Sequence, residues 1–210
     1  MIIKSIFADG YKNLSDVDIR PHERMNIFCG DNAQGKTNLI EAVWLMTGCR
    51  SFRGTRDRDF IGFEKEKASI RLSFRDSFRS QDISFEVRKN NIREKNIALN
   101  GVKVTLLSRL FGSLKCVVFT PEDLFIAKGS PDNRRSFVDL SSSQLKKSFV
   151  YALNKYENLL SQRNALIKKI NFTGSGSADD LDIWDVQLAK TGAYISVIRC
   201  LLYTSDAADD

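Results

Sequence analysis

The chain has 210 residues, 42% of them hydrophobic and 28% charged, with a formal charge of +6. That length can bury the core of one domain or of one and a half, and the basic balance favours polyanionic partners without choosing among them. One histidine, His22, and four widely separated cysteines, Cys29, Cys49, Cys116 and Cys200, exclude a zinc site of ordinary spacing and any nucleophile pair that depends on a further histidine.

The chain opens on Met1-Ile2-Ile3-Lys4-Ser5-Ile6-Phe7, which has no basic region followed by a long apolar stretch. No signal peptide is expected, no run approaches the length of a membrane span, and a reducing, cytoplasmic setting suits the cysteine usage. Residues 2–7 and 14–19 read as short strands, and the apolar run Met25-Asn26-Ile27-Phe28-Cys29 reads as a third. A helix is predicted over 36–47. Residues 50–66 are charged and Gly-punctuated and read as a loop, with Arg50, Arg53, Arg56 and Arg58 close together. Residues 68–75 and 82–88 alternate apolar with polar side chains. Together with 92–99 and the Asn100-Gly101 turn signal they predict a small antiparallel sheet.

Leu114-Lys115-Cys116-Val117-Val118-Phe119 reads as a buried strand. Cys29 and Cys116, both in apolar runs, are expected to be small buried thiols. Thr120-Pro121-Glu122-Asp123 offers a helix cap with proline at the first helical position. Beyond Gly129 the pattern is helical. Leu145, Phe149, Ala152, Tyr156, Leu159, Ile167 and Ile170 form one apolar stripe over 144–170, with Arg163 in the same row. A Gly/Ser break at 171–177 is followed by a returning helix marked by Leu181, Trp184, Leu188, Tyr194, Ile195 and Ile198, which makes a helical hairpin. From Cys200 onward the helical rhythm lapses, and a foreign or erroneous tail over 200–210 is expected.

The densest chemical signal is Gly30-Asp31-Asn32-Ala33-Gln34-Gly35-Lys36-Thr37. It matches the phosphate-cradling loop pattern at Gly30, Gly35, Lys36 and Thr37, between a predicted strand and a predicted helix. The residue types follow from the task. Glycines allow the main chain to turn sharply and to approach phosphate oxygens, and the loop's N–H groups and the start of the helix hold a polyphosphate. Lys36 supplies a point charge to the terminal phosphates of a nucleotide such as ATP, and the Thr37 hydroxyl faces Mg²⁺. Asp31, Asn32, Ala33, Gln34 and Asn38 complete the candidate site through main-chain amides or by orienting the loop, with ordinary helix capping as the alternative for the polar side chains. The arginines at 50, 53, 56 and 58, with Lys65 and Lys67, are candidate DNA-phosphate contacts. Arg50 and Arg53 facing the nucleotide and simple solvated loop charge are the alternatives.

Taken together, several stretches resemble the RecF family of bacterial DNA repair ATPases, in the SMC-like branch of ABC-type ATPases. They are Gly10-Tyr11-Lys12-Asn13-Leu14, residues 30–42, Cys49-Arg50-Ser51-Phe52-Arg53, Phe119-Thr120-Pro121-Glu122-Asp123-Leu124, residues 128–139, 156–166 and 184–195. The resemblance spans residues 1 to about 199. It implies an α/β fold: an ABC/SMC-type P-loop ATPase head, with a mixed sheet, a P-loop helix and an antiparallel β-subdomain, plus a helical subdomain. The implied division is 1–128 for the N-terminal lobe, 129–199 for the helical part and 200–210 for the tail.

The same resemblance implies ATP and Mg²⁺ as cofactors and an ATP-dependent homodimer. It also implies binding to single-stranded and gapped DNA, slow ATP turnover, and work with RecR and RecO to load RecA. It gives Arg134 and Arg135 a structural or DNA-linked role. The ABC signature, acidic Walker B strand and D-loop of the family are expected beyond this sequence, so the catalytic residues stay unassigned and an inactive fragment remains an alternative. A small-molecule kinase built on the same loop is the other rival. The pair of strands before the P-loop and the Gly-Tyr-Lys-Asn turn suit an ABC-type head better.

Overall fold

A computed structural model describes all residues except 49–50, 54–55, 106, 174–177 and 206–210. The chain divides into two compact units, 1–119 and 120–210.

The first unit is built on an antiparallel sheet. Its strands are β1 (Ile2–Asp9), β2 (Val17–Ile19), β3 (Lys67–Arg75), β4 (Ser80–Arg88), β5 (Asn91–Leu99) and β6 (Val102–Val104), in the spatial order β2-β1-β3-β4-β5-β6. Period-two alternation puts Ala68, Ile70, Leu72 and Phe74 of β3 on the buried face, beside Ile83, Phe85 and Val87 of β4. The register pairs Leu72 with Ile6 and Ile83, and Ile70 with Ala8 and Phe85, so apolar rows run across the strands. Asn100 at φ 52° and Gly101 at φ 77° form the two-residue turn from β5 to β6, the conformation that the Asn-Gly pair favours.

Helix α1 (Lys36–Leu45) packs Leu39, Ala42 and Leu45 into this core. Between α1 and β3 a short 3₁₀ turn, Asp57–Phe60, inserts Phe60 against Tyr11 and Phe85.

Two expected strands are not formed. Residues 25–29 have no strand pairing among the described residues, and Met25 and Ile27 are 74% and 80% exposed. A strand buried on both faces needs neighbours to take its main-chain bonds. Here the segment is instead tied into a local loop: His22 N–H donates to Asn26 Oδ1 (2.7 Å) and Asn26 Nδ2 donates to the His22 carbonyl (2.9 Å). Cys29 is accordingly exposed rather than buried. In 114–119 only Leu114 is fully buried, and Val117 and Phe119 are 92% and 77% exposed with no strand around them. Cys116 packs at the edge of the core, where burial pushes its thiol above the ordinary value.

The second unit is helical. Thr120 caps a 3₁₀ turn, Pro121–Leu124, with its N–H and hydroxyl both donating to Asp123 Oδ2. The helices α2 (Phe125–Lys128), α3 (Pro131–Leu145), α4 (Lys147–Thr173) and α5 (Asp182–Ser205) follow. The stripe expected to be continuous over 144–170 is broken at Lys146, whose extended backbone (φ −133°, ψ 110°) ends α3 and leaves Leu145 exposed. Phe149, Ala152 and Leu159 of α4 are buried, and Phe149 and Ala152 pack with Ile195 and Ile198 of α5. Helix α5 continues through 200–205, since Cys-Leu-Leu-Tyr contains no residue that breaks a helix. No helix among the described residues is long and apolar enough to cross a membrane.

Arg163 of α4 grips Asp185 of α5 along one guanidinium edge, Nε donating to Oδ1 (2.5 Å) and Nη2 to Oδ2 (3.3 Å). This hydrogen bonding, with the positive charge, holds the Asp185 carboxyl below its ordinary value. A carboxylate whose folded-state pKa is depressed contributes stability above its unfolded value and loses it as pH falls through the folded one. Asp185→Asn is therefore expected to be less stable than the parent chain at neutral pH, with the difference vanishing in acid strong enough to protonate the carboxylate in the folded state. Helical circular dichroism during acid titration measures it, and a difference that persisted in strong acid would contradict the pairing.

Candidate functional site: the phosphate loop and its supports

The loop at 30–35 takes the conformations its glycines permit. Gly30 has φ 143° and Gly35 has φ 94°, and Ala33 joins them at φ 64°, unusual for a residue with a side chain. Gly35 suits its place because φ 94° disfavours any side chain, and an added Cβ would fall 2.7 Å from Leu14 Cδ2 and 2.9 Å from Asn13 Oδ1, displacing both. Residues 30–34 and Thr37 are exposed, Gly35 is buried, and Lys36 and Asn38 are half-buried.

Helix α1 begins at Gly35 with no side-chain cap and no acidic residue in its first turn. Its leading N–H groups and the positive end of its dipole thus meet the loop unneutralised. Lys36 Nζ donates to the carbonyls of Gly30 and Asp31, each at 2.6 Å. The ammonium thus ties the start of the helix back to the first two residues of the loop. An uncapped helix start, exposed loop residues, a lysine bridging the loop and an exposed Thr37 hydroxyl together fit a polyphosphate with its cation.

Two segments distant in sequence support this loop, together with the first turns of α1. From the turn between β1 and β2, Asn13 Nδ2 donates to the Ala33 carbonyl (2.6 Å). Asn38 Nδ2 donates to Asn13 Oδ1 (2.7 Å), and Arg53 Nη1 donates to Asn38 Oδ1 (3.0 Å). Deeper, the fully buried Glu41 carboxylate accepts from Lys12 Nζ and from the Ser51 hydroxyl. Burial, and after it the charge of Glu41, pushes the neighbouring Tyr11 hydroxyl far above its ordinary range. The 51–53 segment is further held by Phe52, whose ring meets Trp44 edge-on at 6.3 Å.

Of the arginines singled out from the sequence, Arg53 is brought to the phosphate loop through Asn38, while Arg50 lies outside the described residues. Arg56 and Arg58 are exposed around the 3₁₀ turn, Arg58 Nε lying 3.5 Å from Asp59 Oδ1. Arg134 and Arg135 belong to the first turns of α3 in the second unit. There Arg134 Nη1 donates to the Gly129 carbonyl (3.3 Å) and Arg135 Nη2 to Asp132 Oδ1 (2.5 Å). Asn13, Lys12, Glu41 and Ser51 were not among the residues predicted for the site. Their only signal in the sequence was membership of the Gly-Tyr-Lys-Asn-Leu, 30–42 and Cys-Arg-Ser-Phe-Arg blocks.

A family model described as an AAA domain matches residues 5–187. The DNA replication and repair protein RecF of Alkaliphilus oremlandii (strain OhILAs) is 37% identical over 199 residues, 95% of this chain and 53% of its own length. The protein of the same name from Agathobacter rectalis is 40% identical over 195 residues, covering 93% of this chain and 53% of its own. A solved structure of the recombination mediator protein RecF-ATP in the RecFOR pathway superposes with a TM-score of 0.88 at 35% identity, covering 97% of this chain and 54% of that one. Another, of RecF-ATPrS, gives 0.85 at 34% identity. The chain spans about half the length of the relatives it matches.

Proposed function

We propose, from the premise that this chain belongs to the AAA-domain family and within it to the RecF proteins, that it is the nucleotide-binding lobe of a DNA replication and repair ATPase. The observation that carries the reading is the uncapped start of α1 behind a loop bridged by Lys36. In this reading main-chain amides of 31–37 hold the β- and γ-phosphates of ATP, Lys36 leaves its carbonyls for the phosphate oxygens, and the Thr37 hydroxyl faces Mg²⁺. The similarity to a protein solved as RecF-ATP supports ATP over other polyphosphates. Titration of the chain with ATP, with and without Mg²⁺, tests it directly. Saturable binding that Mg²⁺ tightens is expected, and absence of binding would overturn the reading.

The partners proposed are those of the family: single-stranded and gapped DNA, RecR and RecO, RecA as the protein to be loaded, and a second copy of the chain in the presence of ATP. Hydrolysis is assigned to the complete protein, because an acidic strand and a signature segment must reach the γ-phosphate for turnover. Exposed apolar residues at 25–28 and 117–119 support the view that the remaining half of the family's length packs against this lobe. A cytoplasmic location goes with these partners.

DNA contact is proposed for the exposed Arg53, Arg56 and Arg58, and for Arg134 and Arg135. Each phosphate contact contributes about 0.9 to the slope of log affinity against log salt. Neutralising Arg56 and Arg58 together should flatten that slope by about 2 if both touch duplex phosphates. Arg134 and Arg135 are tested the same way as a separate pair. Titration of gapped DNA at several salt concentrations measures both, and a slope equal to that of the parent chain would remove the pair concerned from the DNA interface.

A further inference from the structure

We propose that Asn13, an exposed residue in the turn after β1, is the positioning residue that fixes the phosphate loop in its ligand-ready form, a role that rests on the nucleotide reading above. Its Nδ2 donates to the carbonyl of Ala33, the one non-glycine residue of the loop at positive φ (64°). An L-residue in that region is strained, so the conformation persists only where its surroundings over-determine it.

The polarity of the chain of bonds is forced. A guanidinium can only donate, so Asn38 must turn Oδ1 to Arg53 and Nδ2 to Asn13. Asn13 must then accept through Oδ1, which leaves its Nδ2 facing Ala33 and no second orientation available. The residue is also delivered by a rigid support. Lys12 N–H donates to the Phe60 carbonyl, Leu14 N–H to the Tyr11 carbonyl and Gly62 N–H to the Gly10 carbonyl, each at 2.8 Å. The core does not explain Asn13, since its side chain lies at the surface.

The test uses the full chain and the variants Asn13→Ala and Asn13→Asp. The aspartate keeps the size of the side chain and its acceptor for Asn38, but sets a carboxylate oxygen against the Ala33 carbonyl. A packing role predicts parent-like behaviour for Asn13→Asp, whereas a positioning role predicts loss in both variants. Two quantities are read. The first is the backbone ¹⁵N order parameter of Ala33, Gln34 and Gly35 without nucleotide, expected to fall from about 0.85 to below about 0.6. The second is affinity for a fluorescent ATP analogue, expected to fall about tenfold with an unchanged thermal midpoint. If the parent chain fails to bind the analogue, the nucleotide reading falls and the order parameters alone decide the role of Asn13. Rigid 33–35 amides in both variants overturn the proposal, and so does parent-like affinity in a chain that binds.

Discussion

Lys36→Ala should weaken binding of ATP by roughly 10- to 150-fold, the equivalent of one charge-assisted contact of about 1.5–3 kcal/mol. Without ligand the ammonium is bonded to two carbonyls of its own loop, Gly30 and Asp31. Those carbonyls lie on exposed residues, so removing the lysine lets water take its place and should leave the fold nearly as stable as before. The loss therefore falls on the bound state. Lys36→Arg should recover little, because a planar fork does not replace a compact point charge inside a narrow loop. Equilibrium titration with a fluorescent ATP analogue, beside thermal unfolding of the same samples, measures both expectations. An unchanged affinity in Lys36→Ala would remove the phosphate-loop assignment.

The largest effect on stability is expected at Glu41. Its side chain is fully buried on α1, and its partner Lys12 is only 14% exposed. Breaking a buried ion pair from one side costs about 3–5 kcal/mol, because the other charge stays behind in a poorly solvated place. Glu41→Ala should destabilise the first unit by that amount, more than breaking any exposed pair among the described residues. The double variant Glu41→Leu with Lys12→Met should regain most of the loss, since two apolar side chains of similar volume often replace a buried pair without penalty. Urea unfolding of the single and double variants measures the difference. Additive losses in the double variant would mean that the pair is not the source of the effect. Nucleotide affinity should suffer with stability in Glu41→Ala, because Lys12 adjoins Asn13 and Ser51 precedes Phe52 and Arg53 by one and two positions.

The parts of this fold that were legible from the sequence are those encoded locally. Alternation at 68–75 and 82–88 marked β3 and β4 because one face meets the core and the other meets water. Asn100-Gly101 marked its turn because few other pairs accept two positive φ values. The turn into α1 was legible because Gly30 and Gly35 stand where positive φ is needed, just before the helix begins. Residues 25–29 and 114–119 misled because an apolar run states only that a segment wants cover, and the neighbours that would make it a strand are not encoded within it. Lys146 interrupted the 144–170 stripe without proline or glycine to announce it. The support of the loop was the least legible. The bond from Asn13 to Ala33 joins residues twenty positions apart, and the buried pair Lys12–Glu41 joins residues twenty-nine apart, so no spacing rule within a helix or strand could have linked them.

The sheet of the first unit ends on both sides in three-residue strands, β2 and β6, each with a charge at its centre, Asp18 and Lys103. Margins so short and so charged are poor templates for a visiting strand. Edge-to-edge polymerisation of the kind that leads to fibrils is thereby discouraged at this sheet, and preparations of the chain that do clump should do so through their greasy loops. Polar replacements at Ile27 and Val117, rather than at either margin, are the changes that would keep it dispersed.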